Sequence, residues 1–287
     1  MRIGVTLPLA EDDTEDGRSP TFAETLAYAR HAEALGLDSI WVFDHLLFRS
    51  PGAPDEGIRE AWTTLAALAS VVPRVELGAL VMCASFRNPG LMAKMAATLD
   101  DLAGGRLILG LGSGWHEPEY DAFGFPFDHR VGRFAEDLEI TARLLRKEQF
   151  TFEGRWRHMH DVVLLPPPER DVPVLVAAKG PRMLELTATW ADAWNVAWFS
   201  AADDRLRSLL VALDDACDAV GRERGTLRTT VGLRLDDTEL TDADRLARVF
   251  DGLVDVRVDD AIIWSTSKSM SALDRIAAGR RRHLAER

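Results

Sequence analysis

Short apolar runs alternate with amphipathic stretches along the whole chain. The first run is Ile3 to Leu7, and Thr21-Phe22-Ala23-Glu24 then has the spacing of a capping box at a helix start. Phe22, Leu26, Ala29 and Ala32 recur at helical intervals and predict the inward stripe of that helix, which Gly36 closes. Ser39 to Phe43 reads as a second strand, with Asp44 and His45 at its C-terminal end. A second helix over Ile58 to Val72 and a third strand over Val75 to Met82 follow. Asn88-Pro89 is an N-cap with proline at the first helical position, and Leu91, Met95, Leu99 and Leu102 predict the inner stripe of the third helix, ended by Gly104-Gly105. Arg106 to Leu111 is a fourth strand, and a long aromatic loop runs from Gly112 to His129. Helix four, Arg130 to Lys147, turns Phe134, Leu138, Thr141 and Leu145 inward.

Phe150 to Leu165 predicts a small β-hairpin turning at Glu153-Gly154 and closed by Pro166-Pro167-Pro168. Val172 to Ala178 is a fifth strand, Gly180-Pro181 opens a helix to Ala191, and Trp194 to Trp198 is a sixth strand. A helix over Asp203 to Val220, then Thr229 to Leu235, Asp242 to Leu253, Asp260 to Trp264 and Ser269 to Leu284 complete the alternation. Strands alternating with helices give a parallel sheet covered by helices. Eight such units predict a closed (β/α)8 TIM barrel, a single domain over residues 1–287 with an insertion at 150–168. An open doubly wound sheet is the alternative, because periodicity does not itself prove closure.

Composition narrows the function. The net charge of −12 argues against nucleic acid or an acidic membrane face as partner, leaving a small-molecule substrate. No apolar run approaches the roughly 20 residues of a membrane span, and the N-terminal apolar segment stops at Pro8, too early for a signal peptide; this reads as a cytoplasmic protein. Cys83 and Cys217 stand far apart and offer no disulfide framework. Asp44, His45, His116 and Glu117 follow no metal-binding spacing, so no metal is expected. Only four of the 34 basic residues are lysines, so one in a glycine-bearing loop, Lys179, stands out.

In a barrel the chemistry belongs at the C-terminal ends of the strands. The segments there are Asp44-His45, Cys83 to Asn88, Gly112 to Glu117, Lys179 to Arg182 and Phe199-Ser200. Gly112-Ser113-Gly114 follows a buried strand directly, so its backbone can pass close to a flat ring. Lys179-Gly180-Pro181-Arg182-Met183 opens a helix, where free N–H groups, the positive end of the dipole and two cations suit a phosphate. His45 is a residue type suited to exchanging a proton near neutral pH.

Seven segments resemble the luciferase-like monooxygenase superfamily, and its F420-dependent branch above all: Ile3–Pro8, Ser39–His45, Leu77–Val81, Arg106–Trp115, Ala122–Pro126, Gly180–Leu184 and Ala191–Asn195. They lie in family order over the first two thirds of the chain, and beyond about residue 200 the likeness is general. The resemblance implies a bacterial luciferase-like barrel that binds coenzyme F420, or alternatively FMN, and commonly pairs as a homodimer through its outer helices. It places Asp44 and His45 at the reactive face of the ring as catalytic residues. It assigns Asp44, Leu80, Val81, Cys83, Ser113, Gly114, Lys179, Gly180, Arg182 and Met183 to the cofactor, with a strand bulge and a non-prolyl cis peptide at Leu80-Val81. The phosphate falls to the Lys179 loop.

Trp115 and His116 would line the substrate pocket. The glucose-6-phosphate dehydrogenases of the family carry a glutamate where this chain has Trp115, so their sugar-phosphate substrate is not carried over. The expected activity is hydride transfer between F420 and a small organic substrate. The alternatives are an FMN-dependent monooxygenase using reduced flavin and O2, a non-catalytic flavin-binding protein, and an unrelated phosphosugar barrel. That last class usually needs a Schiff-base lysine or a glutamate base on a late strand, and neither stands out.

Overall fold

A computed structural model describes residues 1–285; the last two residues of the expected 1–287 barrel lie outside the described part. Eight parallel strands form the barrel: β1 (Arg2–Thr6), β2 (Ser39–Val42), β3 (Glu76–Ala79), β4 (Leu107–Gly112), β5 (Val174–Ala177), β6 (Ala193–Phe199), β7 (Arg228–Leu235) and β8 (Asp260–Ser265). β1 pairs with both β2 and β8, and the ring closes where Leu77 and Gly78 of β3 pair with Leu107 and Ile108 of β4. The open-sheet alternative is thereby excluded. The helices are α1 (Phe22–Ala34), α2 (Ala61–Val71), α3 (Pro89–Leu102), α4 (Glu117–Phe123), α5 (Arg130–Leu145), α6 (Pro181–Trp190), α7 (Asp204–Ala219), α8 (Asp237–Leu240), α9 (Ala243–Asp255) and α10 (Met270–Ala285). The helix α4 inside the aromatic loop was not expected; Gly124 ends it in the left-handed conformation.

Two clusters divide the apolar core, as barrels require. Trp41, Leu80, Ile108, Leu175, Ala193 and Ile262 form one, and the larger one spans strands and helices. Trp41 fits because its neighbours lack side chains. A Cβ on Gly78 would come 2.7 Å from its ring, and one on Gly4 would come 2.8 Å from its Nε1.

The Thr21 capping box is present, but the predicted inner stripes of two helices are corrected. Phe22 is 44% exposed and Leu26 half-buried, while α1 buries Thr25, Tyr28, Ala29, Ala32 and Glu33. On α3, Leu91 and Leu102 are exposed, and the buried face is Met92, Ala93, Ala96, Leu99 and Asp100. The physical reason is the same in both: each helix turns a carboxylate inward to hold the backbone beyond it. Glu33 Oε1 accepts the Arg74 N–H at 2.7 Å. Asp100 Oδ1 accepts the Leu107 N–H at 3.1 Å and is paired with Arg170 at 2.7 Å. Hydrophobicity alone does not weigh such bonds. On α5 the expected Phe134, Leu138, Thr141 and Leu145 are buried.

The third strand is interrupted rather than continuous to Met82. The Leu80–Val81 peptide is cis, and pairing resumes at Met82 with Leu111 and at Cys83 with Gly112. From Leu77 to Met82 the chain therefore takes one residue more than its partner takes from Leu107 to Leu111, which is a bulge. A second non-prolyl cis peptide, Ala197–Trp198, was not anticipated; it coincides with a register shift between β6 and β7. Between α5 and β5, Phe150–Glu153 and His158–Val162 form the expected hairpin, its turn lying at Gly154 to Arg157.

Candidate active site

The interrupted β3 and the register-shifted β6 both open onto one cleft of about 400 Å³ at the C-terminal mouth of the barrel. Leu80 and Val81 line it from β3, Ala197 and Trp198 from β6. Ser113, Gly114 and Trp115 come from the loop after β4, and Lys179 and Met183 from the loop after β5 and the first turn of α6. Asp44, His45 and Cys83 also lie on it, so most of the expected residues meet in one place. Gly180 and Arg182 do not line the cleft, and the Arg182 side chain borders an adjoining groove instead.

His45 is held by a residue the sequence reading missed. Its Nδ1 lies 3.0 Å from Oε1 of Glu119 on α4, and the other carboxylate oxygen of Glu119 accepts the Leu46 N–H at 2.8 Å. Glu119 is only 1% exposed. A carboxylate only accepts, so the His45 proton sits on Nδ1 and Nε2 is left as the basic nitrogen. Phe48 at 4.5 Å and Trp115 at 5.5 Å flank the imidazole. The only sequence signal for Glu119 was a carboxylate within the long aromatic loop.

Asp44 reaches the cleft with its carboxylate already engaged. It accepts the Cys83 N–H at 2.8 Å and both guanidinium arms of Arg87 at 2.6 and 3.0 Å. Asp44 thus fastens the chain beyond the cis peptide to the end of β2. Cys83 donates to or accepts from the Tyr120 hydroxyl at 2.9 Å, and burial pushes its thiol up to about 12. A Cβ on Gly114 would fall 1.7 Å from that hydroxyl, and its φ of +74° also favours glycine. His116 is buried, and its Nε2 accepts the Arg49 N–H at 3.0 Å. Burial, set against the charge of Glu119, holds His116 below the usual imidazole range. Trp115 is 65% exposed, an apolar wall at the entrance.

At the other end, α6 begins at Pro181 behind Gly180, with no side chain capping it. Its first N–H groups have no intrahelical acceptor and point out of the helix beside Lys179. Burial, then the charge of Arg205, pulls the Lys179 ammonium below its ordinary value. Asn195, missed in the sequence, is buried on the cleft and donates to the Thr230 hydroxyl at 2.8 Å. Among the described residues no group of three or more His, Cys, Asp or Glu could hold a metal, and no helix is long and apolar enough to cross a membrane.

A parallel eightfold barrel with a bulged third strand and a cleft across its mouth defines a class of barrel proteins with room for a flat ligand. The chain belongs to the luciferase-like monooxygenase family, whose profile matches residues 1–269. It is 34% identical over 216 residues to an F420-dependent glucose-6-phosphate dehydrogenase of Kineococcus radiotolerans, covering 74% of this chain and 63% of that protein. It is 36% identical over 212 residues to a phthiodiolone/phenolphthiodiolone dimycocerosates ketoreductase of Mycobacterium tuberculosis, covering 67% of this chain and 55% of the relative. The similarity thus spans less than two thirds of these relatives' own length. Among solved structures, an F420-dependent secondary alcohol dehydrogenase in complex with an F420-acetone adduct superimposes with a TM-score of 0.82 at 17% identity, over 97% of this chain and 99% of that one. At that identity the likeness establishes the fold.

Proposed function

We propose that this protein is an F420-dependent oxidoreductase that passes a hydride between the deazaflavin and a small organic substrate of the alcohol–carbonyl type. The observation that carries this reading is the His45–Glu119 pair on a cleft that ends in the Lys179 loop. The two relatives, by their names a dehydrogenase and a ketoreductase, support a carbinol–carbonyl pair.

The residues present fit the cofactor. Leu80, Val81, Ala197 and Trp198 offer a mostly apolar wall suited to a planar ring, and Ser113 and Gly114 offer polar backbone to its edge. Lys179 and the N–H groups from Gly180 to Met183 suit its phosphate. Bound there, the deazaflavin supplies a carbon centre that gives or accepts hydride and disfavours the oxygen chemistry of ordinary flavins.

The chain's own residues supply the proton step. As a hydride leaves the carbinol carbon, Nε2 of His45 takes the hydroxyl proton, and it returns that proton in the reverse direction. Glu119 fixes the tautomer and stabilises the imidazolium. Asp44 positions the loop rather than receiving the proton, and Trp115 walls the substrate side, with the buried His116 ring 5.0 Å behind it rather than on the cleft as expected. The same reading takes the whole sequence as one barrel domain that pairs as a homodimer and works in the cytoplasm; sedimentation of the purified protein measures the pairing.

Titration of the purified protein with F420 and with FMN, followed by absorption, tests the assignment. Saturable F420 binding and substrate-dependent bleaching or recovery of its absorption are expected. Preferential binding of FMN, with oxygen consumed on reduction, would replace this reading by the monooxygenase.

A further inference from the structure

The loop that follows β2 curls into a small hairpin of its own. Phe48 and Glu56 exchange backbone hydrogen bonds at 2.9 and 2.8 Å, and Nε of Arg49 donates to Asp55 across the turn at 2.8 Å. This hairpin is fastened to the segment after β4. The Leu46 N–H donates to Glu119 at 2.8 Å, and the Arg49 N–H donates to Nε2 of His116 at 3.0 Å. His116 is the N-cap residue of α4, yet its side chain does not cap that helix. The buried ring turns to the loop instead.

The fastening sets aromatic rings behind His45. Phe48 lies 4.5 Å from the His45 imidazole, and the His116 ring lies 6.0 Å from Phe48 and 6.3 Å from His45. His45, Glu119 and Trp115 line the cleft, whereas Phe48 and His116 do not. The latter two rings therefore cover the imidazole on the side away from the cleft and keep water from the His45–Glu119 pair. An ion pair weakens when water reaches it, so this cover sustains what Glu119 does for the imidazolium.

We propose that His116 is a positioning residue: as a neutral hydrogen-bond acceptor it latches the hairpin that carries Phe48 against the back of His45. The inference rests on the reading of His45 as the proton carrier, and it gives His116 a task away from the substrate. A ring nitrogen accepts only while it is unprotonated. Burial and the neighbouring His45 oppose a charge on His116, Glu119 favours one, and the Arg49 guanidinium is engaged by Asp55. The balance lies on the neutral side. Opening the hairpin frees Nε2 to take a proton near the ordinary imidazole value of about 6.5, so the latch weakens as pH falls below it.

Amide hydrogen exchange of the full chain, with reduction of F420 by 2-propanol as probe alcohol, tests the latch. His116→Phe fills a similar space without an acceptor. It is expected to lower the protection of the Arg49 amide and kcat by about threefold to tenfold, the scale of one hydrogen bond, with the Kd for F420 unchanged. His116→Gln carries an amide oxygen that can take the place of Nε2 and should restore both. In the unaltered protein Arg49 protection should fall between about pH 7.5 and about pH 5.5, and in His116→Gln it should hold. This pH comparison decides the matter even where the phenylalanine variant does not fold. Equal protection and kcat in the two variants, or protection independent of pH in the unaltered protein, would overturn the latch and leave the F420 reading intact. Loss of F420 affinity in step with kcat would overturn it too, by placing His116 in the cofactor pocket. Absence of saturable F420 binding would overturn the cofactor reading, while exchange at Arg49 would still decide the latch.

Discussion

Nδ1 of His45 lies 3.0 Å from Oε1 of Glu119, although 74 residues separate them in the chain. One comes from the end of β2 and the other from α4, so the barrel mouth and the helix beyond β4 together fix a single tautomer. Glu119→Gln leaves the shape in place but removes the charge that stabilises the imidazolium. Hydride-transfer kcat is expected to fall by roughly 10–100-fold, with KM little changed. His45→Asn should cost about 10²–10⁴-fold in kcat while the Kd for F420 stays near that of the unaltered protein. Stopped-flow traces of F420 absorption separate the two effects. A fall in cofactor affinity equal to the fall in rate would make the pair a ring-binding element instead.

Lys179 carries the next expectation. Lys179→Ala should weaken phosphorylated F420 by about 1–3 kcal/mol and hardly affect the dephosphorylated ring fragment, the scale of a charge-assisted hydrogen bond. The sign of the pH dependence follows from burial and Arg205, which lower the ammonium's proton affinity. The positive charge is present at low pH and is lost on raising pH sooner than for an ordinary lysine. Binding of the phosphorylated form should therefore weaken toward alkaline pH, and Lys179→Arg should flatten that trend. Isothermal titration across pH with both ligands measures it.

Glu56 predicts a stability effect on the loop beside the mouth. Burial, reinforced by Asp12, pushes its carboxyl up to about 7. The folded protein thus holds this proton more tightly than the unfolded chain, whose glutamate titrates near its ordinary value of about 4.3. Stability contributed by the group rises as pH falls from above 7 toward that value, and is lost again as pH rises through 7. Glu56→Gln should remove this component of the pH dependence, as measured by urea denaturation between pH 5 and 8. An unchanged slope in that window would mean that Glu56 ionises normally.

Gly110 sits where the barrel has no spare volume. A Cβ there would lie 2.0 Å from the carbonyl oxygen of Ala79, a backbone atom that cannot swing aside. Gly110→Ala is expected to destabilise the barrel by about 3 kcal/mol, at the upper end of overpacking effects, seen as a lowered Tm. Gly180→Ala is the control, because nothing lies within 4 Å of a Cβ at that position. Similar Tm values for the two variants would show that the strands separate easily.

The alternation of apolar runs and helices was enough to predict the barrel, because each strand is buried on both faces and each helix needs one apolar side. The strand ends then brought Asp44, His45, Ser113 and Lys179 to one mouth, because parallel strands all deliver their C-termini to the same side. The resemblance in sequence located the cis Leu80–Val81 peptide; hydrophobic pattern did not distinguish it from ordinary strand. Tertiary structure alone decided which carboxylates act together. Glu119 with His45, Asp44 with Arg87, and Asp100 with Arg170 are partners 74, 43 and 70 residues apart. Tertiary structure also turned Glu33 and Asp100 inward on α1 and α3, against the predicted stripes, and moved the Arg182 side chain from the cleft to the groove. Periodicity records which positions avoid water. A buried charge is placed by a partner distant in the sequence, and no local pattern encodes that partner.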